Sequence, residues 1–276
     1  MTYMQNLRFG TSLSFYRKID RDTLRNLKDV GISTVELSFD YDYYMNQIDF
    51  SKNWLEYSKI AQEENVELWS IHLPFSSYLD ISNMDHELRA ISICTNRNLI
   101  EAAGKAGVKI VVLHPSSEPI TDEERYERLC LSHEAIKFLN TECEKYRMKL
   151  TIENLPRTCL CNRSSEMIEL LKDTGAGIVF DTNHSLIENN VSFLSALIDS
   201  GLKIHSLHIS DYDFVDERHR LPGDGLNNWH EIFSQLERAG YNGPLLYEVS
   251  RQPKERDEIS LSQLIENMKK LSAGEI

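Results

Sequence analysis

Short apolar β-runs alternate with helical stretches along the whole chain, and this alternation limits the available folds more than any other feature. The predicted strands are Leu7–Leu13, Thr34–Phe39, Val66–Pro74, Lys109–His114, Lys149–Asn154, Gly177–Asp181, Ile204–Ser210 and Pro244–Val249. The helices predicted after them are Asp20–Val30, Ser51–Glu64, His86–Ala106, Thr121–Tyr146, Ser165–Asp173, Asn189–Asp199, Asn228–Ala239 and Ser260–Leu271. Eight such units in 276 residues predict an α/β protein with a single (β/α)8 TIM barrel, one domain over residues 1–276.

An open, doubly wound sheet is the alternative fold. It would need fewer strand–helix units than the chain contains. No Gly-x-Gly-x-x-Gly motif follows the first predicted strand, as it would in a dinucleotide-binding fold of that type. The closed barrel is therefore the expected architecture.

Histidine or a carboxylate stands at or just past the downstream end of six predicted strands. In chain order these residues are His72, His114, Glu153, Asp181, His208 and Glu248. Polar groups that close buried strands are costly unless they face each other or an ion. Because a parallel barrel brings the same ends of its strands to one mouth, the pattern predicts a metal site there.

Alternation along each strand indicates which side chains enter the barrel, because residues two apart share a face. Counting back from the polar strand ends, smaller residues such as Ser70 and Ser206 face the interior. Larger apolar residues such as Ile71 and Phe180 face the surrounding helices. The same count turns Trp69 toward the helices, where core packing is expected.

Four of the strand-end residues form the predicted metal site: Glu153, Asp181, His208 and Glu248. Neighbouring strands lie about 5 Å apart, so consecutive strand ends can share one ion. Three carboxylates and one imidazole suit Mn²⁺, Mg²⁺, Co²⁺ or Zn²⁺. Any one of these residues alone is equally compatible with an ordinary buried ion pair. All four in register on adjacent strands favour a shared divalent ion.

A second polar set could bind substrate or further metal ions: His72, His114, His184, Glu217, His219 and Arg220. His184 follows the sixth strand by three residues and could contact metal or a substrate hydroxyl. His219 and Arg220 precede the turn-rich loop Pro222–Gly225 and could contact substrate. Glu36, in the second strand, is either an inward carboxylate beside the site or part of a structural ion pair.

Composition narrows the setting and the partners. Hydrophobic residues make up 41% of the chain and charged residues 26%, which is ordinary for a globular protein, and the net charge is −13. Such an acidic chain is not expected to bind nucleic acid nonspecifically. No apolar run approaches the roughly 20 residues of a membrane span, and Met1–Arg8 lacks a secretory apolar stretch. Five cysteines without framework spacing favour a reducing, cytoplasmic location.

Five motifs together resemble the xylose-isomerase-like barrel superfamily over most of the chain. They are the segments Thr151–Pro156, Phe180–His184, Leu207–Asp211, Leu221–Gly225 with the following Trp229, and Gly240–Glu248. Each motif is loose alone, but their order and spacing are fairly specific. Members of this superfamily include sugar isomerases and epimerases, inosose dehydratases and the endonuclease IV group.

Similarity to the ketose-epimerase branch implies one divalent metal bound at the positions of Glu153, Asp181, His208 and Glu248. It also implies that the two glutamates act as the acid/base pair and that His184 touches a substrate oxygen. The expected protein is a divalent-metal-dependent isomerase or epimerase of a sugar or polyol-like substrate, working through a metal-stabilised enediolate. Dehydration of a polyol ketone is an enzymatic alternative that starts with the same proton abstraction.

Similarity to the endonuclease IV branch implies instead up to three zinc ions and cleavage at abasic DNA. The matching positions are His72, His114, Glu153, Asp181, His184, His208, Glu217, His219 and Glu248. That branch carries aspartate at the position of Glu217, and no arginine-rich or intercalating loop for gripping a duplex is evident. A small sugar or polyol is therefore the expected partner, without nucleic acid or membrane, and homo-oligomerisation is left open.

Overall fold

The computed structural model describes residues 8–15, 19–38, 50–250 and 258–276. Its strands are β1 Phe9–Ser12, β2 Thr34–Ser38, β3 Glu67–His72, β4 Ile110–Leu113, β5 Lys149–Glu153, β6 Gly177–Asp181, β7 Ile204–His208 and β8 Leu245–Tyr247. Its α-helices are α1 Arg21–Asp29, α2 Phe50–Glu63, α3 His86–Lys105, α4 Asp122–Lys145, α5 Ser164–Leu171, α6 Asn190–Asp199, α7 Trp229–Arg238 and α8 Leu261–Ala273. Every predicted strand and helix is present; the predicted strand residues Leu7 and Phe39 lie outside the described ranges.

The eight strands are parallel and follow the order β7-β6-β5-β4-β3-β2-β1-β8. The two outer strands, β7 and β8, meet through a bridge between Ile209 and Tyr247. The Ile209 amide donates to the Leu246 carbonyl at 2.8 Å, and the Glu248 amide donates to the Ile209 carbonyl at 3.1 Å. This contact completes the barrel, so the predicted (β/α)8 architecture is confirmed and the open sheet is excluded.

Two buried layers follow from the alternation of side chains along the strands. Ile71 and Phe180 belong to the large apolar cluster formed with the surrounding helices, as their parity predicts. Val112, Val179 and Leu246 are also fully buried but lie outside that cluster, on the inward face predicted to hold Ser70 and Ser206. The buried Ser70 and Ser206 make the barrel interior more polar than the layer between the sheet and the helices. Polar side chains at the mouth continue this polar interior.

Trp69 is an exception to the predicted alternation. The register of β3 against β2 shifts between Leu68 and Ser70, so Trp69 is an extra residue in a β-bulge. Its indole nitrogen donates to Ser206 Oγ at 3.1 Å, in the barrel interior. The prediction that Trp69 packs against the helices is wrong, because the bulge reverses the alternation at this residue.

Trp69 closes the lower end of the barrel together with charged residues at the start of the strands. The Arg8 guanidinium lies 5.4 Å and the Lys109 ammonium 5.7 Å from the Trp69 ring centre, within cation–π range. Both cations also pair with Glu67. The predicted metal ligands Glu153, Asp181, His208 and Glu248 lie at the opposite end of the barrel.

The loops at the mouth are anchored by a buried ion pair. Asp80, in the segment after β3, pairs with Arg128 of α4, and both side chains are at most 10% exposed. Asp80 also accepts hydrogen bonds from Ser117 Oγ at 2.7 Å, in the segment after β4, and from the Ser82 amide at 2.8 Å. One carboxylate therefore fixes two loops to one helix.

Local signals explain where the helices begin and end. Asp85 and Thr121 accept hydrogen bonds from the first-turn amides of α3 and α4, as N-cap residues do. Gly107 follows α3 with a φ of +77°, a left-handed conformation that glycine adopts readily. None of the helices in the described ranges is both long and apolar enough to cross a bilayer.

Candidate metal and substrate site

The ends of β5 to β8 bring four side chains together at the mouth of the barrel. Glu153, Asp181 and His208 are the last residues of their strands, and Glu248 directly follows β8. One ligand atom from each of the four lies within 4.8 Å of the others. The predicted set thus converges in space, and three of its members are fully buried.

His208 is the centre of this group. Its Nδ1 atom lies 3.0 Å from Glu153 Oε1, 3.0 Å from Glu248 Oε2 and 3.9 Å from Asp181 Oδ2. Its Nε2 atom lies 3.1 Å from Glu36 Oε2. A neutral imidazole has one N–H, and donation of that N–H to Glu36 leaves the Nδ1 lone pair facing three carboxylates.

Glu36 has no exposed surface and is the inward carboxylate that the sequence left open. Besides contacting His208, its Oε2 atom accepts a hydrogen bond from Ser70 Oγ at 2.7 Å. A carboxylate on the far ring nitrogen of a histidine fixes the tautomer and strengthens the other nitrogen as a metal ligand. Glu36 is therefore placed to orient His208.

Asp181 is the residue whose surroundings best suit a bound cation. Its Oδ1 atom accepts from the Asn183 amide at 2.5 Å, but its buried Oδ2 atom has no hydrogen-bond partner. Burial, with Glu248 and Glu153 nearby, raises the pKa of Asp181 to about 7. An unsatisfied buried carboxylate oxygen, aimed at two more carboxylates and an imidazole, fits a divalent metal ion.

Two histidines approach the other oxygen of Glu153. His72 Nε2 lies 3.1 Å and His114 Nε2 lies 2.9 Å from Glu153 Oε2. Burial lowers the pKa of His72, but Glu153 outweighs that effect and raises it to about 9. Burial lowers the pKa of His114 below its usual value. Glu153 is thus surrounded by three imidazoles, and its own pKa is lowered well below the usual range in spite of its burial.

Three of the histidines share one orientation. The Nδ1 atoms of His72, His184 and His219 lie 2.9 Å, 2.9 Å and 3.0 Å from the main-chain carbonyls of Leu73, Asn154 and Glu248. A carbonyl only accepts, so each Nδ1 carries a proton and each neutral ring presents a lone pair on Nε2. Main-chain carbonyls orient metal-binding histidines in this way.

His184 and His219 direct their Nε2 atoms at Glu217, forming a second group of possible metal ligands. The distances to Glu217 Oε2 are 3.9 Å and 3.8 Å. Burial opposes the charge of Glu217, but the nearby His219, His184 and Arg157 lower its pKa to about 2. The longer side chain of glutamate therefore still reaches both histidines.

Arg157 was not identified from the sequence. Its Nη1 atom lies 2.7 Å from Glu217 Oε1, and its Nη2 atom lies 2.6 Å from Glu118 Oε1. The φ of Arg157 is +50°, in the left-handed region. This backbone turn after β5 directs the guanidinium between the loops that follow β4 and β7, a placement that no sequence motif signals.

Asn154 and Asn183 also escaped the sequence interpretation. The Asn154 amide group exchanges two hydrogen bonds with the main chain of Asp181, at 2.8 Å and 2.9 Å. Asn183 Oδ1 accepts from the amides of Arg218 and His219 at 3.1 Å and 3.2 Å. Both residues hold site residues in place. Both lie in the motifs Thr151–Pro156 and Phe180–His184, but a motif does not reveal which main-chain groups a side-chain amide binds.

Arg220 is not part of the described metal-type groups. It forms an antiparallel bridge with Asp211, and its Nη2 atom approaches Asp213 Oδ2 at 3.8 Å. Asp211 in turn accepts from the Gly223 amide at 2.8 Å and from the Trp229 indole at 3.0 Å. Arg220 therefore belongs to the loop that frames the mouth, and its predicted contact with substrate stays a prediction.

The chain matches the family described as xylose isomerase-like TIM barrel over residues 24–271. It therefore belongs to that family, as the sequence motifs suggested. An uncharacterized protein of Methanocaldococcus jannaschii is similar to it, with 25% identity over 254 residues, 89% of this chain and 85% of the relative.

Solved structures of sugar epimerases share the fold. A D-tagatose 3-epimerase-like protein superposes with a TM-score of 0.81 at 22% identity, covering 97% of this chain and 96% of that one. D-psicose 3-epimerase from Clostridium cellulolyticum H10, with D-tagatose, gives 0.79 at 17% identity, covering 97% and 98%. At these identities the likeness establishes the fold alone.

Proposed function

We propose that the protein is a divalent-metal-dependent isomerase or epimerase acting on a sugar or polyol-like substrate. One observation carries the proposal. Glu153 and Glu248, from different strands, both lie 3.0 Å from the same His208 nitrogen, and the unsatisfied Asp181 oxygen faces them. The epimerase activities of the proteins that share the fold favour a sugar as the substrate.

Glu153, Asp181, His208 and Glu248 would hold the ion, because their ligand atoms lie within 4.8 Å of one another. A bound divalent ion supplies Lewis acidity, which polarises the carbonyl and neighbouring hydroxyl of a ketose and acidifies the C–H bond between them. The donor set of three carboxylates and one imidazole fits Mn²⁺, Mg²⁺, Co²⁺ or Zn²⁺.

The two glutamates perform the proton transfers in this proposal. One carboxylate removes the proton next to the carbonyl to give an enediolate, and the other returns a proton to the opposite face or the adjacent carbon. Glu153 is assigned as the base and Glu248 as the acid, and the reverse assignment uses the same geometry. Glu248 is 16% exposed and so faces the open mouth, whereas Glu153 is fully buried.

His184 orients the substrate. Its Nδ1 proton is donated to the Asn154 carbonyl, so its Nε2 atom is free to accept from a substrate hydroxyl or to bind metal. Its ring is 7% exposed, enough to be reached from the mouth. His219, edge-on to His184 at a ring distance of 5.9 Å, forms the adjoining wall.

The test is Glu248→Gln in metal-loaded protein, offered a panel of ketoses in D2O. NMR would follow epimer or aldose formation and deuterium uptake at carbon. We expect turnover to fall by roughly 10²-fold or more, since a general acid/base is removed, and metal affinity to weaken while the fold is kept. Near-normal turnover in this variant would exclude Glu248 from the mechanism. A dehydrated product would identify the polyol-ketone dehydratase alternative.

A second candidate function is favoured by the further groups of possible metal ligands. His184, Glu217 and His219 form one such group, and His72 forms another with Glu153 and His208. Several ions could hold a hydroxide and a leaving oxygen in a zinc phosphodiesterase acting at abasic DNA. Elemental analysis separates the proposals: about one ion per chain supports the isomerase and about three support the phosphodiesterase. DNA binding with a steep salt dependence would also support the latter.

A further inference from the structure

A cavity of about 470 Å³ lies between the N-terminal ends of α4 and α5, and we call it the α4–α5 cavity. Its lining includes Asp122 after β4, Arg157 after β5 and Ile187 after β6. Segments that follow the strands lie at the mouth, so the cavity opens on the same end of the barrel as the metal centre. Its volume is within the roughly 300–1,000 Å³ of small-molecule sites.

Arg157 is the wall shared by the cavity and the metal centre. It lines the cavity, and its Nη1 atom lies 2.7 Å from Glu217 Oε1. Glu217 Oε2 lies 3.9 Å from His184 Nε2 on the other side. The Arg157 side chain is 41% exposed, so a ligand at the mouth can contact it from solvent. Arg157 and Glu217 therefore place the cavity next to the metal centre.

The floor of the cavity is already hydrogen-bonded. Arg125 pairs with Glu166 through Nε at 2.6 Å and Nη2 at 2.7 Å. Glu166 Oε2 also accepts from the Cys161 amide at 2.6 Å, and Glu188 Oε2 accepts from the Ser164 amide at 2.9 Å. Carboxylates thus occupy the amides at the start of α5, and the cavity is not an anion cradle.

The charges of the lining do not favour an ionic ligand. Arg125 pairs with Glu166, and Arg157 pairs with Glu118 and Glu217, so these charges are already compensated. Asp122 and Arg163 add one charge of each sign, and the lining as a whole selects neither an anion nor a cation. A wholly apolar group would desolvate these charges without replacing their hydrogen bonds to water. A neutral polyhydroxylated group both donates and accepts hydrogen bonds, and its C–H face can pack on Ile120 and Ile187.

We propose that the α4–α5 cavity binds a second sugar unit, so that the substrate is a ketose bearing a glycosyl group and not a free monosaccharide. This inference rests on the proposed function of the metal centre. The keto end of the substrate occupies the metal centre, and the glycosyl group crosses Arg157 into the cavity. Binding energy from this non-reacting unit is then available to the reaction at the keto end.

The first experiment compares substrates with metal-loaded wild-type protein. The probes are fructose and four disaccharides with a fructosyl end: turanose, maltulose, isomaltulose and lactulose. We expect kcat/KM for at least one disaccharide to exceed that for fructose by roughly tenfold or more. Equal or faster reaction of fructose would overturn the cavity inference and leave the proposed function standing. Failure of every sugar to react would overturn both.

The second experiment fills the cavity from its rim. Ser165 is exposed near the start of α5 and lines the cavity, so Ser165→Trp should lower kcat/KM for the preferred disaccharide roughly tenfold and leave fructose unchanged. Ser192→Trp, at an exposed position near the start of α6 and outside the cavity lining, is the matched control and should affect neither substrate. If Ser165→Trp does not fold, Ile187→Trp replaces it, since Ile187 is 51% exposed. Equal losses for both substrates, or no loss, would contradict the inference.

Discussion

Each of four histidines at the barrel mouth has one ring nitrogen assigned to a fixed acceptor. His72, His184 and His219 face main-chain carbonyls with Nδ1, and His208 faces Glu36 with Nε2. The remaining nitrogen of every ring then points at a carboxylate. When the ring is neutral, the lone pair of this nitrogen faces a lone pair of the carboxylate oxygen, which is unfavourable. A proton or a metal cation between the two atoms removes the repulsion. In their neutral forms these rings are therefore oriented to share a cation with the carboxylates they face.

Glu36→Gln tests this role at the residue scale. The amide keeps the shape of the side chain but removes the charge that holds the His208 Nε2 proton. We expect metal affinity, measured by competition with a chelator, to fall about 10–100-fold. Glu67→Gln is the matched control, because Glu67 lies on β3 at the opposite end of the barrel. Unchanged affinity in Glu36→Gln would mean that Glu36 does not position His208.

The convergence of the strand-end residues could be predicted because strand position alone determines it. Glu153 and Asp181 lie at the mouth in any parallel barrel with this strand pattern. Arg157 could not be predicted, because its position depends on one left-handed residue in a loop. The role of Asn154 could not be predicted for another reason. Side-chain amides that hydrogen-bond to the main chain do not occur at a characteristic spacing in the sequence.

At the scale of elements, the loops that follow the strands are held by side-chain contacts in addition to the hydrogen bonds of the sheet. Asp80 joins the segment after β3 to Ser117 in the segment after β4 and to Arg128 on α4. The sequence predicted β3, β4 and α4 but gave no indication of this link. Ser117 and Arg128 lie 37 and 48 residues from Asp80 along the chain. Trp69 shows a similar limit, because one inserted residue reverses the face of its side chain.

Arg128→Ala should destabilise the fold strongly, since it leaves the buried Asp80 carboxylate without its cation. We expect a loss of about 3–5 kcal/mol in the free energy of unfolding, measured with urea. Lys105→Met removes an exposed ion pair with Glu101 on α3 and should be indistinguishable from wild type. Asp80→Asn combined with Arg128→Met should recover part of the loss, because no unpaired charge then remains. A loss in Arg128→Ala no larger than that of the control would contradict this role for the pair.

At the scale of the whole molecule, an acidic chain with a net charge of −13 concentrates several carboxylates at one buried place. A cation that binds only the folded protein stabilises it by mass action. Adding Mn²⁺ or Zn²⁺ to chelator-treated protein at about 100 times Kd should therefore add about 2.7 kcal/mol and raise Tm. Asp181→Asn should lose this rise, and Glu67→Gln should keep it. A Tm in wild type that does not respond to either metal would count against a metal centre.

The barrel as a whole was the most predictable level, because eight apolar runs separated by helices admit few other arrangements. Its closure was predictable only in outline. The joining contact is a bridge at Ile209, one residue beyond β7, and such a register depends on how all eight strands tilt together.

The plug formed by Trp69, Arg8 and Lys109 at the bottom of the barrel has a kinetic consequence. With that end sealed, a reacted molecule can leave only by the route through which the next one arrives. Substrate and product then use the same opening and cannot occupy it together. Accumulated product should therefore inhibit competitively with respect to substrate.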